Sequence, residues 1–265
     1  MEETTTKNAA EMPFLDHLEE LRWRIIWSLG ALVVGVGAGF GLLIRYEKPV
    51  LLWLQGPVLP YLHGRRLMNT HPGDGLSILL STAIIFGIVF ALPVIVYQVW
   101  AFLSPALHGK EKRVAVPAIL GSVFLFVCGA ALAWFFVVPM TLRFLTGIGD
   151  DAFDQMFSAT EYFGFVTTLV LAVGAVFELP ILVLLLSAFG LVTPRLLAKF
   201  RRHALVGSFI GAAFITPGDI FVTNIVLTAL LYLLYELSIG LSYLVFRNRE
   251  KKRIAEEAEQ AGAMA

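Results

Sequence analysis

Apolar residues fill long, nearly unbroken runs along this chain, and the polar residues collect between them. Six runs read as membrane-spanning helices: roughly 25–44, 76–103, 114–138, 162–189, 203–216 and 220–246. A spanning helix needs ~20 predominantly apolar residues, because hydrocarbon offers nothing for an unpaired backbone group to bond. Five runs reach that length. The fifth in order, HALVGSFIGAAFIT, has only fourteen residues, and Pro217-Gly218 separates it from the sixth. The connections are 45–75, 104–113, 139–161, 190–202 and 217–219.

Lysine and arginine decide the expected orientation, since cytoplasmic flanks carry the excess of both. The N-terminal segment, the loops 104–113 and 190–202, and the C-terminal tail together hold fifteen of them. The alternate loops hold five: Arg45, Lys48, Arg65, Arg66 and Arg143. Both termini are therefore expected in the cytoplasm. The same asymmetry argues that the short fifth run crosses, since five crossings would leave the basic C-tail outside. Local bilayer thinning or neighbouring helices would support so short a span.

The polar segments are not plain linkers. YEKPVLLWLQGPVLPYLHGRRL (46–67) reads as short amphipathic helices at the outer interface, with Trp53 and Tyr61 at a depth that suits them. GDDAFDQMFSATEYF (149–163) carries four acids and is expected to cap the fourth span. Residues 1–12 form a polar N-tail, and the tail from 247, above all after Arg253, is expected to be disordered. Small residues recur four apart at Gly35/Gly39, Gly37/Gly41 and Gly207/Gly211, a spacing that lets membrane helices approach closely. Packing within the bundle and a docking face for a partner helix both fit that pattern.

Composition sharpens this picture. Of 265 residues 58% are hydrophobic and 15% charged, where a soluble domain carries about 25% charged. The chain is a single all-α integral membrane domain. Net charge is zero, so overall charge implies no nucleic-acid partner. The single cysteine, Cys128, lies in an apolar run and reads as a small buried hydrophobe. The N-terminus MEETTTKNAAEMP lacks the basic and apolar regions of a cleaved signal, so the first span is expected to be its own insertion signal.

Some charges need a reason. HLEELRWR (17–24) packs His17, Glu19, Glu20, Arg22, Trp23 and Arg24 directly before the first span. Phe14, Leu18, Leu21 and Ile25 repeat at helical spacing, so a helix is expected to start before the membrane and lie along its inner surface. Glu20 and Arg24 stand at i,i+4 in the favourable order, worth about 0.3–0.5 kcal/mol. A self-paired anchoring face and half of a binding site both fit. In the loop HGKEKR, Glu111 sits among Lys110, Lys112 and Arg113, which favour its ionised form. Glu178 lies near the middle of the fourth span, where a charge costs roughly 2.5–3.5 kcal/mol on insertion scales. It requires a partner, a water-filled groove or a proton. Glu236 poses the same question less deeply in the sixth span, and Thr223 and Asn224 add polar groups near its outer end.

Catalytic and metal patterns are missing. The five histidines show no ligand spacing, and no nucleophile elbow, HExxH or nucleotide loop is present. No enzyme activity, cofactor or metal is expected, and any work must draw on a gradient or a partner.

The order HLEELRWRI, PVIVYQVWAFLSPALHGKEKR, FELPI and TPGDIF resembles the TatC family over about residues 13–246. That family is the large subunit of the twin-arginine (Sec-independent) protein translocase. The resemblance implies a cupped six-helix bundle in the bacterial inner membrane that exports folded proteins using the proton-motive force. It implies partners: twin-arginine signal peptides, TatB-like and TatA-like single-span subunits, membrane lipid, and further copies in a homo-oligomeric receptor complex. It implies that Glu20 and Glu111 receive the twin arginines, with Phe102, Arg22, Arg24, Lys112 and Arg113 completing the patch. Pro57 resembles an outer-cap proline and Glu178 a glutamate facing the concave groove. Thr216, Thr223 and Asn224 fall where partner helices dock, and Thr223 stands where many members have Gln. A proton-coupled solute transporter is the alternative, motivated by two intramembrane glutamates. It calls for internal repeats, and none is visible in the sequence.

Overall fold

The computed structural model describes residues 3–62, 64–103, 115–147, 156–188, 190, 192–216 and 222–263. Its helices are α1 (Glu3–Leu54), α2 (Asp74–Leu103), α3 (Ala115–Leu132), α4 (Val138–Gly147), α5 (Ala159–Val176), α6 (Leu179–Ala188), α7 (Pro194–Lys199), α8 (Arg201–Ile215) and α9 (Val222–Ala263). A π-helical turn, Ala133–Val137, joins α3 to α4, and a 3-10 helix, Gly56–Tyr61, follows α1. Among the described residues five stretches are long and apolar enough to cross a membrane: Leu18–Leu54, Asp74–Phe102, Ile119–Gly147, Ala159–Ser187 and Thr223–Tyr243. The short fifth run becomes α8. Its fifteen residues extend about 22 Å, less than the ~30 Å of a hydrocarbon core.

Several expected boundaries move, each for a local reason. α1 has helical backbone from Glu3 to Leu54 except at Tyr46 (φ −126°, ψ 29°). With no break near Arg24, the segment before the span continues the helix axis instead of turning into the membrane plane. In the outer loop the kink at Tyr46 sets off a short helical stretch ending at Leu54, and a 3-10 helix, Gly56–Tyr61, follows it. α9 runs on to Ala263, where a disordered tail was expected. RNREKKRIAEEAEQA is built largely of strong helix formers, which extend a helix already nucleated in the membrane.

The fourth run divides at Phe177–Glu178. Pro180 has no N–H to offer the carbonyl of Val176 and disfavours helical backbone before it. The chain responds with a tight turn, the Glu178 N–H reaching Ala175 O at 3.1 Å, and α6 restarts at Leu179.

Neighbouring helices are mostly antiparallel. Arg24 reaches Gln98, and Gly35 and Gly39 meet Gly87 and Ala83, so α1 and α2 run in opposite directions. Arg201, at the start of α8, reaches Glu236 while Gly211, further along α8, faces Leu231, nearer the start of α9, so these two helices are antiparallel as well. At the end away from the termini, Leu54, Val58, Trp134, Tyr162 and Leu227 belong to one buried cluster. Trp53 stacks on Trp134 with ring centroids 4.6 Å apart. Backbone bonds tie the loops there, Met68 N to Phe157 O at 3.0 Å and Ala159 N to Met68 O at 2.8 Å. Ser158, rather than an acid, caps α5, accepting from the Glu161 N–H, while Glu161 lies in its first turn. Asp150, Asp151 and Asp154 lie outside the described residues.

Four buried hydroxyls in the bundle bond within their own helix. Thr82, Thr141, Thr216 and Ser238 each donate to the carbonyl four residues back. The buried Tyr162 hydroxyl donates instead to Leu54 O, at the last residue of α1, over 2.7 Å. Tyr162→Phe strands that carbonyl in an apolar cap, at a cost of about 1–2 kcal/mol. Thermal unfolding in detergent should register a lower midpoint. An unchanged midpoint would mean that the bond adds nothing.

Candidate functional site: the termini-side cluster and the intramembrane carboxylates

Glu20 and Arg24 share one face of α1 because they stand one turn apart. The Arg24 guanidinium donates to the Glu20 carboxylate through Nε and Nη2. Its Nη1 also reaches Gln98 Oε1 on α2 at 3.4 Å. Arg24 thus bridges the first two spans near the end that carries the termini. Phe102 is half-buried and one turn beyond Gln98. Arg22 and Trp23 are exposed beside this cluster. Glu111, Lys112 and Arg113 lie outside the described residues. Gln98 was not singled out from the sequence. The available signal was a lone amide in the apolar run VIVYQVW.

Glu178 sits in the tight turn that breaks the helix between α5 and α6. Its Oε2 accepts from Ser122 Oγ on α3 at 2.5 Å. Its Oε1 is buried with no hydrogen-bond partner among the described residues. Close packing holds this pairing. Gly129 stands against the Phe177 ring and Gly174 against the Phe126 ring, each with no space for a methyl group. Ser122 was missed because a serine in an apolar run is unremarkable until its neighbour is known.

Glu236 is paired on both oxygens. Arg201 Nη2 lies 2.8 Å from Oε2, and the Tyr232 hydroxyl donates to Oε1 at 3.0 Å. The adjacent Tyr235 hydroxyl donates to Leu197 O at 2.7 Å. These contacts fasten the start of α8 and the end of α7 to α9. Arg201 had counted only toward orientation in the sequence.

Pro57 is the second residue of the 3-10 helix, next to the fully buried Val58. Thr216 closes α8, Thr223 and Asn224 lie at the start of α9, and all three are at most 1% exposed. The exposed surface nearby is formed by Phe214, Ile225 and Val226. A helix docking there meets apolar side chains first. Among the described residues no cluster of three or more His, Cys, Asp or Glu has metal-binding geometry.

Comparison with known proteins agrees with this arrangement. The family described as Sec-independent protein translocase protein (TatC) matches residues 16–229. The chain belongs to the TatC family. A TatC protein of Aquifex aeolicus is 39% identical over 245 residues, 91% of this chain and 98% of that protein. TatCy of Bacillus subtilis is 33% identical over 259 residues, 97% of this chain and 99% of its own. A crystal structure described as the twin-arginine translocase receptor TatC superposes with a TM-score of 0.73 at 38% identity. It covers 87% of this chain and 99% of the solved one. This TatC-family chain is therefore a multi-pass membrane protein of the Sec-independent translocase family.

Proposed function

We propose that this chain is the signal-peptide receptor and core subunit of a twin-arginine translocase. Its termini-side face binds Arg-Arg signal peptides of folded cargo, and export draws on the proton-motive force. The observation that carries the reading is the junction of Glu20, Arg24, Gln98 and Phe102 across α1 and α2. It offers a carboxylate on α1 and, one turn beyond Gln98 on α2, an aromatic side chain, in a chain like the solved receptor. Glu111 is the second carboxylate, and Arg22, Lys112 and Arg113 border the patch.

The physics favours arginine. A guanidinium presents a planar fork that matches a carboxylate bidentately, which a lysine ammonium does not copy. In this reading α8 also crosses, as the fifth of six spans, both termini are cytoplasmic and the membrane is the bacterial inner membrane. The antiparallel α8–α9 pair and the lysine and arginine distribution support that orientation. TatB-like and TatA-like single-span subunits dock around Thr216, Thr223 and Asn224 in a homo-oligomeric receptor complex. Pro57 shapes the outer cap, and Glu178 faces the groove used in transport. Pairing of Glu236 by Arg201 and Tyr232 favours a fastening role for that residue, which weakens the transporter alternative.

The test is binding of a signal peptide to the purified protein, with Arg-Arg replaced by Lys-Lys. Affinity is expected to fall at least ten-fold. Equal affinity for the two peptides would overturn the receptor reading.

A further inference from the structure

A short basic segment lies against the termini-bearing half of α9. The Tyr235 hydroxyl donates to Leu197 O, and Arg201 pairs with Glu236. Both anchors stand about two turns before Tyr243, where the apolar stretch of α9 ends. α7 and the start of α8 are thereby held near the boundary between hydrocarbon and headgroups.

Glu236 occupies Arg201, but three other cations of this segment have no such partner. Arg195, Lys199 and Arg202 are exposed. Among the described residues no carboxylate forms an ion pair with any of them. Arg195 and Lys199 stand one turn apart on one face of α7. Arg202 follows just beyond Phe200 (φ −89°, ψ 7°), which interrupts the helix. Along a helix the three would span about 10 Å. The sequence offers nothing to offset them, since no Asp or Glu occurs from 179 to 218. The other basic segments carry their own acids: Glu19 and Glu20 beside Arg22 and Arg24, and Glu250 among the bases that follow Arg247.

Apolar side chains complete the surface. Leu196 and Phe200, 43% and 47% exposed, are one turn apart on the face of α7 next to the basic one. Exposed bases beside an exposed Leu and Phe suit an interface, with the apolar groups in hydrocarbon and the cations at headgroup level. Unbalanced positive charge at that level attracts anionic lipid, and a guanidinium fork matches phosphate oxygens.

We propose that α7 and the start of α8 form a binding site for an anionic phospholipid of the termini-side leaflet. Arg195, Lys199 and Arg202 pair with its phosphate, and Leu196 and Phe200 lie among its upper acyl carbons. The bound lipid holds the connection between α6 and α8 against the membrane.

Native mass spectrometry of the purified chain with phosphatidylglycerol and phosphatidylcholine of equal acyl length tests the idea. The wild type should retain phosphatidylglycerol at least ten-fold over phosphatidylcholine. Combining Arg195→Gln, Lys199→Gln and Arg202→Gln should abolish that preference. Combining Arg249→Gln, Lys251→Gln and Lys252→Gln removes the same charge from the tail and should leave the preference in place. No preference in the wild type, or an undiminished one in the first variant, would overturn the proposal. Equal loss in both variants would also overturn it, because net charge alone would then explain the retention. Glycerol 3-phosphate in excess should not displace the lipid, and displacement would show a soluble phosphate site instead. A photo-crosslinker at Leu196 in native membranes gives a reading that leaves the three cations intact. An adduct of anionic phospholipid supports the assignment, and an adduct with protein alone refutes it.

Discussion

Gly87→Leu should detach α1 from α2 and destabilise the protein by about 3 kcal/mol or more, the upper range for overpacking. A Cβ at Gly87 would lie 2.6 Å from Val36 Cα and 2.7 Å from Val36 N. Both atoms are backbone, so no rotamer change relieves the clash. The opposing surface is equally tight. A Cβ at Gly35 would stand 2.5 Å from Gly87 O, and one at Gly39 2.8 Å from Ala83 O. Helix separation there is set by the absence of side chains on both partners. α1 packs chiefly on α2, so other contacts offer little compensation, and Arg24 would lose its reach to Gln98. The expected readout is a lower thermal midpoint in detergent together with faster proteolysis of α1. Gly37→Leu is the control, because nothing lies within 4 Å of a Cβ at Gly37. Equal stability of the two variants would show that the close approach is not needed.

Glu20→Ala should weaken binding of an Arg-Arg signal peptide by roughly ten- to hundred-fold. That range corresponds to the ~1.5–3 kcal/mol of a hydrogen bond to a charged group. Glu20 already bonds Arg24 in the resting chain, so an incoming arginine has to displace a resident one. Arg24→Gln removes that competitor and should tighten peptide binding several-fold. Titration of labelled peptide into the purified protein measures both effects. Unchanged affinity in Glu20→Ala would remove Glu20 from the site. Weaker binding in Arg24→Gln would show that Arg24 supports the peptide directly instead of competing. The two variants therefore separate a carboxylate held in reserve from one that only anchors the helix.

Periodicity and the four-residue spacing presented three glycine pairs as equivalents. The structure separates them. Gly35 and Gly39 lie against α2, Gly37 and Gly41 face open space, and a Cβ at Gly211 would touch only Leu231 at 3.9 Å. Spacing along a helix shows which residues share a face, but not which face meets a neighbour. In a soluble protein hydrophobicity makes that choice, whereas in lipid both faces are apolar. The intramembrane glutamates follow the same logic. Their cost was visible because a charge in hydrocarbon is expensive wherever it sits. Their partners were not, since Ser122 is 56 residues from Glu178 and Arg201 is 35 from Glu236.

The sequence by itself determined the helical class, five spans and a shorter sixth segment, the candidate charges and the family resemblance. Each spanning helix satisfies its own backbone within one segment, so its presence is a local property that an apolar run reveals. Tertiary structure alone decided that α1 stands on α2 through glycine contacts and that Arg24 bridges Glu20 to Gln98. It also paired Glu178 with Ser122 across the α5–α6 break. Those outcomes depend on which faces of separate helices meet and how closely, and no local pattern in a uniformly apolar chain encodes that.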